Sequence, residues 1–188
     1  YDATPNSDNA LLLTAALEMS GKKAQAFTFL EKHVQAHSND IPSAMLLAER
    51  QIGKDRAAAI KTYEQVLAKT PDNFVVLNNL AFLALEDKKL TRAEELAKKA
   101  VSLQRENADA ADTLAQIYIA KGDKAAALKL YEEVAARPIA NDDVYLNYVS
   151  VLLELDKKAL ASRKLASREF KSEAAKQRAE SLKQQYGL

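Results

Sequence analysis

The chain contains no cysteine and no tryptophan. Without cysteine there is no disulfide framework, no thiolate metal site and no cysteine nucleophile. Glycine and proline number 4 each, too few for a many-stranded protein that must turn roughly every eight to twelve residues. Only 2 histidines are present, so a nucleophile–base–orienter set has few possible members. An excess of one charge sign is also missing. The 27 basic and 26 acidic residues leave a net charge of +1, and no global field calls for nucleic acid or an anionic membrane. No apolar run approaches the length of a membrane span. No secretory signal is visible, and no glycine-rich loop stands ready to cradle a phosphate. The chain opens on Tyr1 rather than Met, which reads as a processed protein or a piece of a longer one, any targeting segment having been cut away.

What is present is helix-forming text. Hydrophobic residues make up 48% of the 188 residues and charged residues 28%, the composition of a folded chain and not of a disordered one. Ala, Leu, Lys and Glu dominate and favour helix. The length suits one domain or an elongated array.

The text also repeats. Pro71, Arg105 and Ile139 stand 34 residues apart. So do Ala59, Ala93, Ala127 and Ala161, as do Leu80, Leu114 and Tyr148, and Ala81, Ala115 and Val149. Ala26 precedes Ala59 by 33, a one-residue deletion near Ile52-Gly53. Each period reads as two amphipathic helices joined by a short turn near Lys22, Lys54, Lys88 and Lys121-Gly122-Asp123. The recurring alanines have a physical reason: two antiparallel helices approach closely there, and a larger side chain would overpack the contact. Tyr63 and Tyr131 share one position of the second helix, where a ring fills the space between neighbouring periods. Thr70-Pro71-Asp72-Asn73 closes one period and caps the next.

A 34-residue period carrying Leu80, Ala81, Ala93, Ala100 and Pro71, and again Leu114, Ala115, Tyr118, Gly122, Ala127, Tyr131 and Val134, resembles the tetratricopeptide repeat family. The resemblance covers nearly the whole chain. It departs from the family pattern at two places: the aromatic expected early in the first helix appears only as Tyr145, and the Gly expected after the first-helix Leu is Ala or larger. The resemblance implies an all-α fold, a right-handed α-solenoid of about five units plus a C-terminal capping helix. The expected units are 7–40, 41–73, 74–107, 108–141 and 142–171. Residues 1–6, with Thr4-Pro5-Asn6, read as the end of a preceding unit or a linker. After Lys171 the 34-residue pattern stops. Ser172 is an N-cap candidate, and Ala175, Ala179, Leu182 and Tyr186 form one apolar stripe, so 172–188 is the expected cap that a solenoid needs at its end.

By the same resemblance the first helices line a concave, peptide-binding groove. Its expected residues are Met45, Leu46, Glu49, Asn78, Asn79, Phe82, Asp112, Thr113, Gln116 and Asn147. Asn79 and Asn147 read as a pair able to hydrogen-bond a peptide backbone, and Asn78-Asn79 read equally as solvated groove residues. Leu11 and Leu12 read either as part of an apolar patch or as the face of a preceding unit. The first helices carry ten acids against one base, Arg50. That excludes the carboxylate-clamp mode of the family, which holds acidic tails with Lys and Arg on first helices. The expected ligand is a protein segment, neutral or basic, with apolar anchors.

Other chemistry is thin. His33 and His37 stand four apart on one helix, a spacing able to chelate zinc, but no third ligand is evident beyond Asp40. The basic run from Lys157 to Lys171 lacks the interleaved aromatics of a nucleic-acid surface. The reading is a non-catalytic interaction scaffold with no cofactor, no metal, no nucleic acid and no membrane insertion. Its rivals are a regulatory or targeting arm of a larger enzyme and a purely structural spacer. The wording Asn78-Asn79-Leu80-Ala81 and Asp112-Thr113-Leu114-Ala115 is similar to bacterial exported tetratricopeptide lipoproteins of the exosortase/PEP-CTERM, exopolysaccharide-associated type. That resemblance implies a periplasmic or outer-membrane-anchored protein; without it the expectation is cytoplasmic.

Overall fold

The structure is a computed structural model that describes residues 6–188. Thr4 and Pro5, part of the expected linker, lie outside the described residues. Among the described residues there are eleven α-helices and no strand: α1 (Ser7–Met19), α2 (Lys23–Ala36), α3 (Ile41–Ile52), α4 (Arg56–Lys69), α5 (Phe74–Glu86), α6 (Leu90–Leu103), α7 (Ala108–Ala120), α8 (Lys124–Val134), α9 (Asp142–Glu154), α10 (Lys158–Ala166) and α11 (Glu173–Tyr186). The chain forms two compact units, Tyr1–Leu83 and Ala84–Leu188. In the first, α1 packs on α2, α3 packs on α4, and α3 lies against both α1 and α2. In the second, α7 packs on α6 and α8, α9 lies against α7 and α8, and α11 lies against α9 and α10.

The helix starts are set by short polar caps. Asn6, Asp40, Asn107 and Asn141 accept a backbone N–H from the first turn of α1, α3, α7 and α9. Asn73 does so for Val76 of α5 at 3.1 Å, and Ser172 for Ala175 of α11 at 3.1 Å. Each satisfies an N–H that the helix cannot bond itself. Counted from these caps, α11 falls in the register of a first helix, so the pattern does not stop at Lys171 as the 34-residue spacing suggested. It arrives early because α10 has only 9 residues.

The recurring alanines Ala26, Ala59, Ala93, Ala127 and Ala161 have no exposed surface, as close helix contacts demand. Tyr63 and Tyr131 are equally enclosed. In the second unit Tyr131, Tyr148, Val149, Leu152, Leu165 and Phe170 form one core with Ala175 and Ala179 of α11.

The turns inside the periods share one geometry. Gly21, Lys88, Gly122 and Asp156 have positive φ. At each, the following N–H reaches back five residues: Lys22 to Leu17 at 2.9 Å, and Lys89 to Ala84, Asp123 to Tyr118 and Lys157 to Leu152 at 2.8 Å. That is a helix stop built on a left-handed residue. Around Gly53, at φ −81, the stop is one residue shorter and the left-handed position is gone, in keeping with the shortened period there. Lys88 and Asp156 carry side chains where glycine is cheapest. Lys88→Gly and Asp156→Gly are each expected to raise unfolding stability by about 0.5–1 kcal/mol in urea titration. Gly122→Ala should lower it, and equal or reversed signs would remove the strain argument.

Asp40 is a local clasp. Its carboxylate caps Ser43 N at 3.1 Å, accepts from Ser7 Oγ at 2.5 Å and Ser43 Oγ at 2.8 Å, and lies 2.7 Å from His33 Nε2. Burial opposes ionisation, but the hydrogen bonds from Ser7, His33 and Ser43 outweigh it and hold the carboxyl at about 2, below its ordinary 3.8. The folded state therefore binds this proton more weakly than the unfolded chain. The contribution is fully present above about pH 4 and fades as pH falls toward 2. Asp40→Asn should be less stable than the parent at pH 7, with the gap narrowing by about pH 2.5. A gap independent of pH would mean the charge contributes nothing.

Candidate peptide-binding face

The expected groove residues divide between the two units, and each group has its own chemistry. In the first unit, Met45 and Leu46 of α3 are half-buried and Glu49 is exposed. Phe82 of α5 is 48% exposed although Val76, Leu77, Leu80 and Leu83 of the same helix are buried. Asn79 donates from Nδ2 to the Tyr63 hydroxyl at 3.0 Å, and Asn73 Nδ2 lies 3.5 Å from the Met45 sulfur. Burial pushes the Tyr63 phenol up, with the Asn79 hydrogen bond working against it. The Oδ1 of Asn78 is buried with no partner.

In the second unit the expected residues are brought together, but by one another. The Tyr131 hydroxyl donates to Asp112 Oδ1 at 2.5 Å and accepts from Gln116 Nε2 at 3.3 Å. Asn147 Nδ2 donates to the same Asp112 oxygen at 2.9 Å, and Asn147 Oδ1 accepts from Arg178 Nη2 at 2.6 Å. Burial raises the Asp112 carboxyl above its usual value, against the pull of Tyr131, Asn147 and Gln116. Thr113 does not reach the surface: it is buried, and its hydroxyl donates to the Asp109 carbonyl at 3.1 Å. Asn147, placed at the groove by resemblance, has both ends of its carboxamide engaged.

The ten-to-one acid surplus is also smaller in space than in sequence. Glu18 forms a two-pronged pair with Arg50 at 2.7 and 3.1 Å. Glu154 pairs with Lys124 at 2.9 Å, Asp142 with Arg168, and Asp143 lies 3.6 Å from Arg178. Apart from Arg50, those cations come from second helices, loops and α11, which a count over first helices alone leaves out. The His33–His37 pair has its ring centres 4.6 Å apart, with His33 buried against Asp40. Among the described residues no cluster of three or more His, Asp or Glu is placed to hold a metal ion, and no helix is long and apolar enough to cross a membrane.

Arg168 and Arg178 carry structure that the 34-residue spacing does not reveal. Arg168 donates to Asp142 Oδ1 from Nε at 2.9 Å, to the Ile139 carbonyl at 2.7 Å and to the Ala140 carbonyl at 3.1 Å, with its guanidinium 4.3 Å from the Tyr145 ring centre. Arg178 stands six residues after its cap, as Asn147 and Asn79 do. Counting from caps rather than by 34 would have aligned it with them.

The fold is similar to that of several solved structures. The chain superposes on pilF of Pseudomonas aeruginosa with a TM-score of 0.73 at 19% identity, over 96% of this chain and 92% of that one. It matches a thermophilic TPR protein of Thermus thermophilus with a TM-score of 0.72 at 19% identity, covering 94% and 98%. MamA from Desulfovibrio magneticus RS-1 gives 0.71 at 13% identity, covering 85% and 91%. Residues 53–117 match the family model described as Tetratricopeptide repeat. This is a tetratricopeptide repeat fold. No curated protein matches the chain by sequence. Tetratricopeptide folds serve generally as protein–protein interaction scaffolds. At identities this low, the likeness to the solved structures speaks for fold alone.

Proposed function

We propose that the first-helix face of the tetratricopeptide unit 1–83 is a non-catalytic docking surface for a protein segment with an apolar anchor and a neutral or basic character. Phe82 carries the reading. It is a large ring left in solvent on a helix that buries Val76, Leu77, Leu80 and Leu83, and it shares its unit with Met45, Leu46, Glu49, Asn78 and Asn79. An exposed apolar group rimmed by polar ones is the usual form of a recognition surface. Asp112, Gln116 and Asn147 support their own unit first and are secondary candidates, and buried Thr113 is not one.

Fluorescence anisotropy with acidic, neutral and basic peptide pools tests this on the full chain. Phe82→Ala should weaken binding of the preferred pool by about 1–2 kcal/mol, roughly five- to thirtyfold, while keeping the chain folded and helical, with a small drop in melting because the ring is about half buried. Preference for acidic peptides, or indifference to Phe82→Ala, would sink the proposal. The link to export and exopolysaccharide rests on the Asn78–Ala81 and Asp112–Ala115 wording; fractionation of the native host tests it, and a cytoplasmic protein would end it.

A further inference from the structure

We propose that a cleft where α1, α2 and α3 meet the α3–α4 turn is an anion site, built for a dianionic phosphoryl group. That group is carried by a small phosphate ester or by a phosphorylated side chain. The inference is independent of the peptide-binding reading and uses none of its residues.

The cleft has a volume of about 310 Å³ and is lined by Glu18 of α1, Lys23 and Phe27 of α2, Arg50 of α3 and Lys54 of the turn. Three cations stand against one acid. Glu18 accepts from Nε and Nη2 of Arg50 at 2.7 and 3.1 Å. Its carboxyl lies below its ordinary value, through the Arg50 hydrogen bond first and the nearby Lys23 charge last. Glu49, outside the cleft, comes no nearer than 3.9 Å to Arg50 Nη1. Lys23 and Lys54 meet no carboxylate among the described residues. Lys54 Nζ stands 3.7 Å from the centre of the Phe27 ring. Glu18 and Arg50 satisfy each other, and two ammonium groups of the lining keep their charge unspent.

The repeat does not ask for charge here. Ten positions after the cap, α5, α7 and α9 bury Leu83, Ile117 and Val151; α3 has Arg50 at that place. Twelve positions after it, α3, α5, α7 and α9 carry Ile52, Leu85, Ile119 and Leu153; α1 has Glu18. In the unit 84–188 the residues matching Glu18 and Arg50 are Ile119 and Val151, and both belong to one apolar cluster. A half-exposed ion pair stabilises a fold less than the aliphatic contact it replaces. The turn departs from the pattern at the same spot. It lacks the left-handed residue of the other four turns, and its Lys54 is the cation over Phe27. Two departures from the repeat thus meet at one cleft, and each brings a cation to it. A single carboxylate would leave part of the surplus unmatched, whereas a phosphoryl dianion matches it. Lysines serve phosphate as point charges on flexible stems, and charge-assisted hydrogen bonds to its oxygens are the strong kind. Phe27 offers an apolar wall to the organic part of an ester.

The test titrates the isotope-labelled full chain at about pH 8, where the phosphoryl group is a dianion, and at constant ionic strength. The probes are inorganic phosphate, glycerol 3-phosphate, a phosphoserine peptide, its unphosphorylated form, and succinate. The expected result is saturable amide shifts in 22–27 and 50–55 with the three phosphates alone. Lys23→Gln and Lys54→Gln should each weaken that binding about threefold or more, and both side chains are exposed, so the variants keep the fold. Lys61→Gln, at an exposed lysine of α4 outside the cleft, should change nothing. Phe82→Ala should change nothing either, which keeps this site separable from the peptide-binding face. Tighter binding of the phosphopeptide than of glycerol 3-phosphate assigns a phosphorylated protein segment; the reverse order assigns a small ester. Succinate or the unphosphorylated peptide binding as well as the phosphates would overturn the proposal. So would shifts that never saturate, or a loss from Lys61→Gln equal to that from Lys54→Gln.

Discussion

Truncation after Lys171 is expected to cost about 2–4 kcal/mol of stability and to loosen α9 and α10 before anything else. α11 buries Ala175 and Ala179 completely enough to join the core of its unit, with Leu182 and Tyr186 packed beside them. Re-exposing two large side chains and their contacts amounts to roughly 3–6 kcal/mol. Releasing about fifteen residues returns entropy and offsets part of it. Polar losses add to the remainder: Asn147 loses the Arg178 donor at 2.6 Å. The helix suits a terminal position because the places where other first helices bury Ala81, Ala115 or Val149 hold Glu180 here. Solenoid units couple mainly to their neighbours, so hydrogen exchange should accelerate in 142–171 while 7–73 stays protected. Full protection of α9 in the truncated chain would make α11 a free arm and not a cap.

The repeat was legible because packing constrains it on every period. Ala59, Ala93, Ala127 and Ala161 must be small, and the capping residues Asp40, Asn73, Asn107 and Asn141 must accept an N–H, so both recur visibly. A fixed spacing of 34 misled only where a helix changed length. The short α10 moved Ser172 forward, and Arg178 fell out of line with Asn147. The groove was less legible for a different reason. Family analogy names a face, but it does not say whether the side chains on that face are spent internally. Asn147 and Asp112 are spent because Tyr131 occurs sixteen residues before the one and nineteen after the other. That triangle spans three helices, and no single stretch of sequence displays it. Phe82 entered the expected face by resemblance alone, and its 48% exposure is a property that the sequence pattern did not itself specify.

Tyr131→Phe should destabilise the protein by about 1–3 kcal/mol although it removes one oxygen from a core ring. The hydroxyl is the closest donor to Asp112, at 2.5 Å, and a buried carboxyl left with fewer donors suffers the full cost of its lost solvation. Tyr131→Ala should cost more, about 3–5 kcal/mol, because it adds a cavity against Tyr148, whose ring is stacked 5.6 Å away. The pH dependence separates the two causes. Burial already raises the Asp112 carboxyl in the fold, so the folded state binds that proton more tightly than the unfolded chain. Its contribution to stability therefore grows as pH falls through the raised value toward the ordinary one. Removing the hydroxyl raises the carboxyl further, and protonation then relieves a larger penalty. The Tyr131→Phe gap should be widest near about pH 7 and shrink on acidification, whereas the cavity part of Tyr131→Ala should persist. Asp112→Asn keeps an acceptor without the charge, and in that background Tyr131→Phe should cost well under half as much. A Tyr131→Phe gap that is flat from about pH 7 to about pH 4, or undiminished in the Asp112→Asn background, would show that the hydroxyl serves packing alone and that Asp112 does not depend on it.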